Sequence, residues 1–140
     1  MAFGIKRLPV TDLQVSGGAS LVGITEPYDL LTSSTGTVVH DFSTNSVFMH
    51  SSISANFTAN FTNVPATGDI AIGVALILEQ GGTAYLPIAV QINGSAQTIN
   101  WVDGSEPTGT AGQYDIVSFT FIYSDGSWIV LGALTTFATV

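Results

Sequence analysis

Ala55-Asn56-Phe57-Thr58-Ala59-Asn60-Phe61-Thr62 alternates apolar and polar side chains without a break. Successive residues of a strand point to opposite faces, so this is the pattern of a strand with one buried and one wet side. Asn63-Val64-Pro65 ends it. Next comes Ile70–Leu78, which is apolar on both faces. Its length alone also fits a short helix. Gly73, the Ile and Val content, and the flanking Thr67-Gly68 and Gly81-Gly82 favour a central buried strand.

Two hairpins follow. Asn93-Gly94 sits between Tyr85–Ile92 and Ser95–Trp101. Asn-Gly accepts the positive φ angles of a two-residue turn and sets the register. The predicted pairs are Ile92–Ser95, Val90–Gln97, Ile88–Ile99 and Leu86–Trp101. Pro87 has no N–H, so its strand is expected at an edge or with that position turned outward. Asp125-Gly126 sits between Tyr114–Ser124 and Ser127–Leu134. It predicts Tyr123–Trp128, Phe121–Val130, Phe119–Gly132 and Val117–Leu134. The other face of that last strand carries Ile129 and Leu131, so it too needs cover from another layer or subunit.

Upstream, Thr37–Phe42 and Val47–His50 read as short strands. Residues 1–35 differ: Gly17-Gly18, Ser33-Ser34-Thr35-Gly36, Pro9 and Pro27 break them into short apolar patches. The reading is an N-terminal arm over 1–35, with one or two strands at most, and a β-domain over 36–140. Strands and turns about 8–12 residues apart suggest an all-β antiparallel sandwich of jelly-roll type. No helix with caps, no heptad and no repeat of about 20–50 residues stands out.

Charge narrows the function. Only 9% of residues are charged and the net charge is −8. Ser and Thr number 31, so polar faces are mostly neutral. That suits a subunit covered by neighbours better than a free monomer, which normally keeps a charged surface. Lys6 and Arg7 are the only basic residues. Nucleic-acid binding and attachment to an anionic membrane both require cations, so neither is expected. The longest apolar run is far short of the ~20 residues that span a bilayer. Asp12 and Gln14 interrupt the stretch that a signal peptide would need. There is no cysteine, hence no disulfide or thiolate site.

No residue is assigned a catalytic, cofactor or metal role. His40 and Asp41 are neighbours on a strand and point apart. The carboxylate pairs Asp103/Glu106 and Asp115/Asp125 read as turn residues. Asp103-Gly104-Ser105-Glu106 lacks the spacing of a calcium loop. Asn56, Asn60 and Asn93 head Asn-x-Ser/Thr triplets, two in a strand and one in a tight turn. Trp101, Trp128 and Tyr123 form either a sugar-stacking row or part of the core, and the core is the commoner role. Core or subunit-facing positions are assigned to Ile72, Val74, Leu76, Leu78, Ile129 and Leu131. A partner-binding role is assigned to Phe3, Ile5, Lys6, Arg7, Leu8 and Val10 in the arm.

Several stretches carry a family resemblance. They are Ala55–Pro65 as quoted, Thr83-Ala84-Tyr85-Leu86-Pro87, Gln97-Thr98-Ile99-Asn100-Trp101 and Trp128-Ile129-Val130-Leu131-Gly132. Phe42 to Phe137, about two-thirds of the chain, resembles a structural-protein domain of tailed phages, particularly those of cyanobacteria and other aquatic bacteria. Within that class a short chain without stalk or fibre repeat looks most like a capsid decoration (cement) protein. The resemblance implies a virion protein assembled in the host cytoplasm, a homotrimer on the head surface, and the major capsid protein as partner. A small tail, collar or fibre-associated protein, in contact with host glycans, is the runner-up. A carbohydrate-active enzyme comes third, since no acid/base pair stands out.

Overall fold

A computed structural model describes residues 16–18 and 22–138. Ten strands form: β1 (Tyr28–Thr32), β2 (Gly36–Asp41), β3 (Val47–Ser51), β4 (Phe57–Thr62), β5 (Ile70–Glu79), β6 (Pro87–Ile92), β7 (Ser95–Gln97), β8 (Ile99–Trp101), β9 (Tyr114–Ser124) and β10 (Ser127–Phe137). One 3₁₀ turn, Val102–Gly104, is the only helical element among the described residues. The protein is all-β, with two mixed sheets. The six-stranded sheet runs β1-β3-β5-β9-β10-β8 and the four-stranded sheet β2-β4-β6-β7.

The first six strands alternate between the sheets, so the chain winds in coils. Each coil brings the chain back in the same direction. β1/β3, β3/β5, β2/β4 and β4/β6 are therefore parallel. This corrects the antiparallel expectation. Period-2 patterning is the same for both pairings, and only the two hairpin turns declared a direction. Those two turns do give antiparallel pairs, β6/β7 and β9/β10. The coils are a structural repetition without a constant sequence period. Tyr28 pairs Val47 and Gly36 pairs Phe57, steps of 19 and 21 residues, while Val47 pairs Ala75 and Phe57 pairs Pro87, steps of 28 and 30. The longer second step breaks the period that a sequence comparison would look for.

The corners do repeat. Ser33 and Ser52, each the residue after its strand, share positive φ (57° and 52°), and Asn63 and Asn93 do the same (56° and 50°). Asn tolerates that region better than most residues. Asn93 Nδ2 donates to Val64 O at 2.9 Å and its Oδ1 accepts from Val64 N at 3.1 Å. Asn63 Nδ2 donates to Asp41 Oδ1 at 2.8 Å. Asn56 and Asn60 accept from the backbone N–H of Leu86 and Gly94. The three triplet asparagines thus stitch coil to coil. Replacing Asn93 by Ala removes two hydrogen bonds and leaves a β-carbon residue at positive φ. It is expected to destabilise by about 2–3 kcal/mol, read as a lower denaturant midpoint at unchanged slope.

The register of the second hairpin is as expected at all four pairs. In the first, Val90–Gln97 and Ile92–Ser95 hold. Ile88–Ile99 and Leu86–Trp101 do not form. After Thr98 the chain crosses to the other sheet, where Ile99 pairs Val130 and Trp101 pairs Gly132. Pro87 lies beyond the reach of β7, beside a bulge that turns Ile88 outward. β1 lies within residues 1–35, where one or two strands were expected, and it pairs β3 in the six-stranded sheet.

The core lies between the sheets. Phe61 is its hub, with ring centroids 5.0 Å from Phe121, 6.0 Å from Phe119 and 6.3 Å from Phe48. Ile72, Val74, Leu76 and Leu78 line the inner face of β5, with Val74, Leu76 and Leu78 buried and Ile72 partly so. Ile129 and Leu131 are on the outer face of the same sheet, 48% and 43% exposed.

Candidate functional site

Three places in the fold bring chemistry-bearing or apolar residues together. The first is a buried histidine pair. His40 alternates with Val38 on β2 and His50 with Phe48 on β3, so both rings enter the core from opposite sheets. Their Nε2 atoms are 3.0 Å apart and the Ser34 hydroxyl is 2.7 Å from His50 Nδ1. Phe48 and Phe61 pack on His40, and Phe57 on His50, at about 5 Å between ring centroids. One proton pattern suits the network. Ser34 O–H donates to His50 Nδ1, His50 Nε2–H donates to His40 Nε2, and His40 Nδ1 carries the remaining proton toward the carbonyls of Val38 and Asn60, without closing a hydrogen bond of ordinary geometry.

Burial pushes the His40 pKa down to about 3, with repulsion from His50 second, and pushes His50 down to about 4. Both rings are neutral at pH 7. The Ser34–His50–His40 connectivity looks like a nucleophile relay, but both rings are fully buried and Ser34 is nearly so. A substrate atom has no path to Ser34 Oγ. The sequence set His40 beside Asp41, pointing apart, and did not pair it with His50. The signal was there: each histidine shares its strand face with an apolar neighbour.

The second place is Asp115. It was expected beside a turn; instead it is fully buried in β9. Its Oδ2 accepts from Gln80 Nε2 at 3.0 Å and Thr110 N at 2.9 Å, and its Oδ1 from Thr136 Oγ1 at 2.6 Å. Gln80 also clasps the Tyr85 backbone on both sides. Gly109 abuts this cluster: a β-carbon there would stand 3.0 Å from Asp115 Oδ2. The carboxylate therefore ties two loops to the sheet. Asp125, the other member of the supposed pair, is in the hairpin turn at the far end of β9, about 33 Å away at strand rise. Asp103 is in the 3₁₀ turn and Glu106 is exposed. Among the described residues no three His, Asp or Glu side chains converge on a metal position.

The aromatic trio does not form one row. Trp101 leans over Gly132 against Phe119, whereas Tyr123 and Trp128 pair at 4.7 Å near the hairpin end. Beside Trp128 an open cleft of about 570 Å³ runs between the two hairpin turns, lined by Asn93, Ser95, Gln97 and Ser127.

No family model, no curated protein and no solved structure matches the chain. The site must speak for itself.

The third place is the outer face of the six-stranded sheet. The register lines up Leu30, Met49, Ile77 and Ile116 in one row across four strands. Three rows away, Ala71, Ile122 and Ile129 form another. Between them lie Tyr28, Val47, Ala75, Ser118 and Ala133, and then Gly73, Thr120, Leu131 and Asn100. None of these side chains is charged. Glu79 follows Ile77 at one end of the face, and Asp69 accepts from Ser124 at the other. Leu30 is 52% exposed. Glu26, which accepts from the Ser46 hydroxyl, reaches over one edge of this face and lines a depression there with Val47, Gly73, Ala75 and Ser118. The arm positions Phe3, Ile5, Lys6, Arg7, Leu8 and Val10 lie outside the described residues. Val22 and Ile24, just inside them, are strongly exposed.

Proposed function

We propose that this chain is a structural protein of a tailed-phage virion, a decoration protein that seats as a homotrimer on the outside of the head shell and binds the major capsid protein. The outer face of the six-stranded sheet carries the reading: its strand rows from Ala71 to Ile77 hold no charged residue, and Glu26 at one depression is the carboxylate that reaches over them. A freely dissolved protein rarely leaves so large an apolar surface open, and such a patch marks a protein contact. Charged residues are depleted at the centre of interfaces in just this way. The sequence resemblance supplies the virion context.

In this reading the two mixed sheets are a sandwich wound from parallel coils, and the residues before Tyr28 are an arm. Lys6 and Arg7 orient that arm on the shell, while Phe3, Ile5, Leu8 and Val10 supply the affinity. Each such side chain, fully buried, contributes about 1.5–3 kcal/mol. An exposed ion pair is worth ~0–1 kcal/mol. The chain acts by binding, with no turnover.

The test counts copies. Quantitative mass spectrometry of particles should find hundreds of copies per head, and a chain lacking residues 1–10 should fold but leave bare shells undecorated. Full decoration by the truncated chain would remove the arm from the account. A few to tens of copies would instead mark a tail or collar component. That second reading draws on the open, parallel-paired edges of β1 and β2, on which a further coil of a fibre-like partner can stack.

A further inference from the structure

We propose that the cleft between the two hairpin turns binds a neutral carbohydrate, a short stretch of an uncharged oligosaccharide laid across Trp128. The site is on a different surface from the shell contact proposed above and does not rest on it.

Residue parity sets the cleft apart. In β7, Ser95 pairs Ile92 and Gln97 pairs Val90. Ile92 and Val90 are buried. Paired residues of a ladder project to the same face, so Ser95 and Gln97 hold core-facing positions. In β10, Trp128 shares its face with buried Val130. Apolar side chains at these positions would close the sandwich here. Instead a serine, a glutamine and a tryptophan line an open cleft of about 570 Å³, with Asn93, Gly126 and Ser127 at its ends. That volume is within the roughly 300–1,000 Å³ usual for small-molecule sites.

The walls are set before a ligand arrives. Both turns have positive φ at both central residues, 50° and 81° at Asn93-Gly94 and 54° and 77° at Asp125-Gly126. This is the tight two-residue form. Asn93 is held by its two hydrogen bonds to Val64, and the Gly94 N–H donates to Asn60. The Trp128 ring packs on Tyr123 at 4.7 Å and on Phe121 at 6.4 Å between centroids. Such walls spare the ordering cost that otherwise weakens binding.

The chemistry selects the ligand. A sugar ring presents C–H groups on its faces and hydroxyls around its edge. An aromatic surface suits the faces, and groups that both donate and accept suit the edge. Gln97 Nε2 donates to Ser95 O at 3.1 Å, which steadies the amide. Among the described residues no hydrogen bond engages Gln97 Oε1, the hydroxyls of Ser95 and Ser127, or the Trp128 indole N–H. The described residues include no Lys or Arg, since Lys6 and Arg7 are the only two in the chain. Asp125 is exposed at the tip of one turn. An anionic sugar would find no counter-charge here and one carboxylate at the rim, so the ligand is neutral.

The experiment uses the full chain. Its two tryptophans give two indole N–H signals in nitrogen–proton correlation spectra. Trp101 pairs Gly132, four residues along β10 from Trp128 and about 13 Å away at strand rise. Titration with neutral oligosaccharides of glucose, mannose and galactose should shift the Trp128 signal saturably and leave that of Trp101 in place. Ser95→Ala and Gln97→Ala each remove one polar contact. Each should weaken binding about fivefold, and the double variant more than either. Neither side chain is buried, so the remaining spectrum should keep its positions. Thr120→Ala, on the outer face of the six-stranded sheet, should bind as the parent does. Sialylated and sulfated oligosaccharides should bind more weakly than neutral ones. The proposal is overturned if no neutral sugar moves the Trp128 signal, or if the double variant binds as tightly as the parent. A charged sugar that binds better than every neutral one overturns it too, as does an uncharged peptide that moves the signal where no sugar does. Decoration of shells bears on the proposed function alone.

Discussion

Between pH 6.5 and about 4.5 the folded chain is expected to lose about 5 kcal/mol of stability, nearly all of it through His40 and His50. Both folded pKa values are lowered from 6.5, to about 3 and about 4. The unfolded chain therefore takes up two protons in a range where the folded chain takes up almost none. Stability is complete above pH 6.5 and falls with pH until the folded pKa values are reached. Each histidine contributes about 1.4 kcal/mol per pH unit, so the pair gives about 2.7. A domain typically holds about 5–15 kcal/mol in reserve, so acid unfolding should come near pH 4–5. His50 is the titratable neighbour that acts on His40, the backbone of Val38 and Asn60 opposes it, and the remaining surroundings are Phe48, Phe57, Phe61 and the Ser34 hydroxyl. Asp41 works in a different range. Its pKa is lowered by hydrogen bonds from Asn63 and Ser43, so its contribution is lost only below the ordinary carboxylate value. Denaturant midpoints across this window decide the matter. His40→Phe should halve the slope, and His40→Phe/His50→Leu should nearly flatten it. Equal stability of the parent chain at pH 7 and pH 5 would contradict the assignment.

The same histidines show what the sequence could and could not reveal. Phe57-Thr58-Ala59-Asn60-Phe61 announces a half-buried strand, and β4 buries Phe57, Ala59 and Phe61. The turn Asp125-Gly126 fixes the whole β9/β10 register. Such signals are local: a period of two and a turn of two residues. The direction of the first six strands is not local. It depends on corners such as Ser33 and Ser52, whose positive φ no preference of serine announces. The crossing of the chain at Thr98 was hidden for a related reason. Ile99 and Trp101 have the right parity for either sheet, and only the space over Gly132 chooses. The His40–His50 contact joins strands in different sheets, so it became visible only once the winding was known. The outer face was half legible. Ile129 and Leu131 were marked as needing cover, but the row Leu30–Met49–Ile77–Ile116 draws on four separate strands and exists only in register.

Gly132 should be intolerant of any β-carbon, and the reason lies in Trp101. β8 pairs with β10 so that Trp101 stands beside Gly132, and its indole crosses the glycine toward Phe119, 5.8 Å between centroids. A β-carbon on residue 132 would meet Trp101 Cε3 and Cζ3 at 2.7 Å and Ile99 Cγ2 at 3.0 Å. Real β-carbons do not approach so closely, so the indole must tilt away or β8 must part from β10. The ring cannot tilt freely, because Phe119 is fully packed behind it. Overpacking of this kind typically costs about 1–3 kcal/mol. Gly132→Ala should reach that range and Gly132→Val should exceed it. At about 3–5 °C per kcal/mol for a domain of this size, Ala should lower the melting temperature by roughly 3–15 °C. A double-mutant cycle separates the clash from a general dislike of side chains in β10. Trp101→Leu removes the ring and leaves a cavity, so it is destabilising by itself. In that background Gly132→Ala should cost at least 1 kcal/mol less than in the parent, a coupling of the size expected for residues in direct contact. If Gly132→Ala costs the same with and without the indole, the glycine is there for some reason other than Trp101.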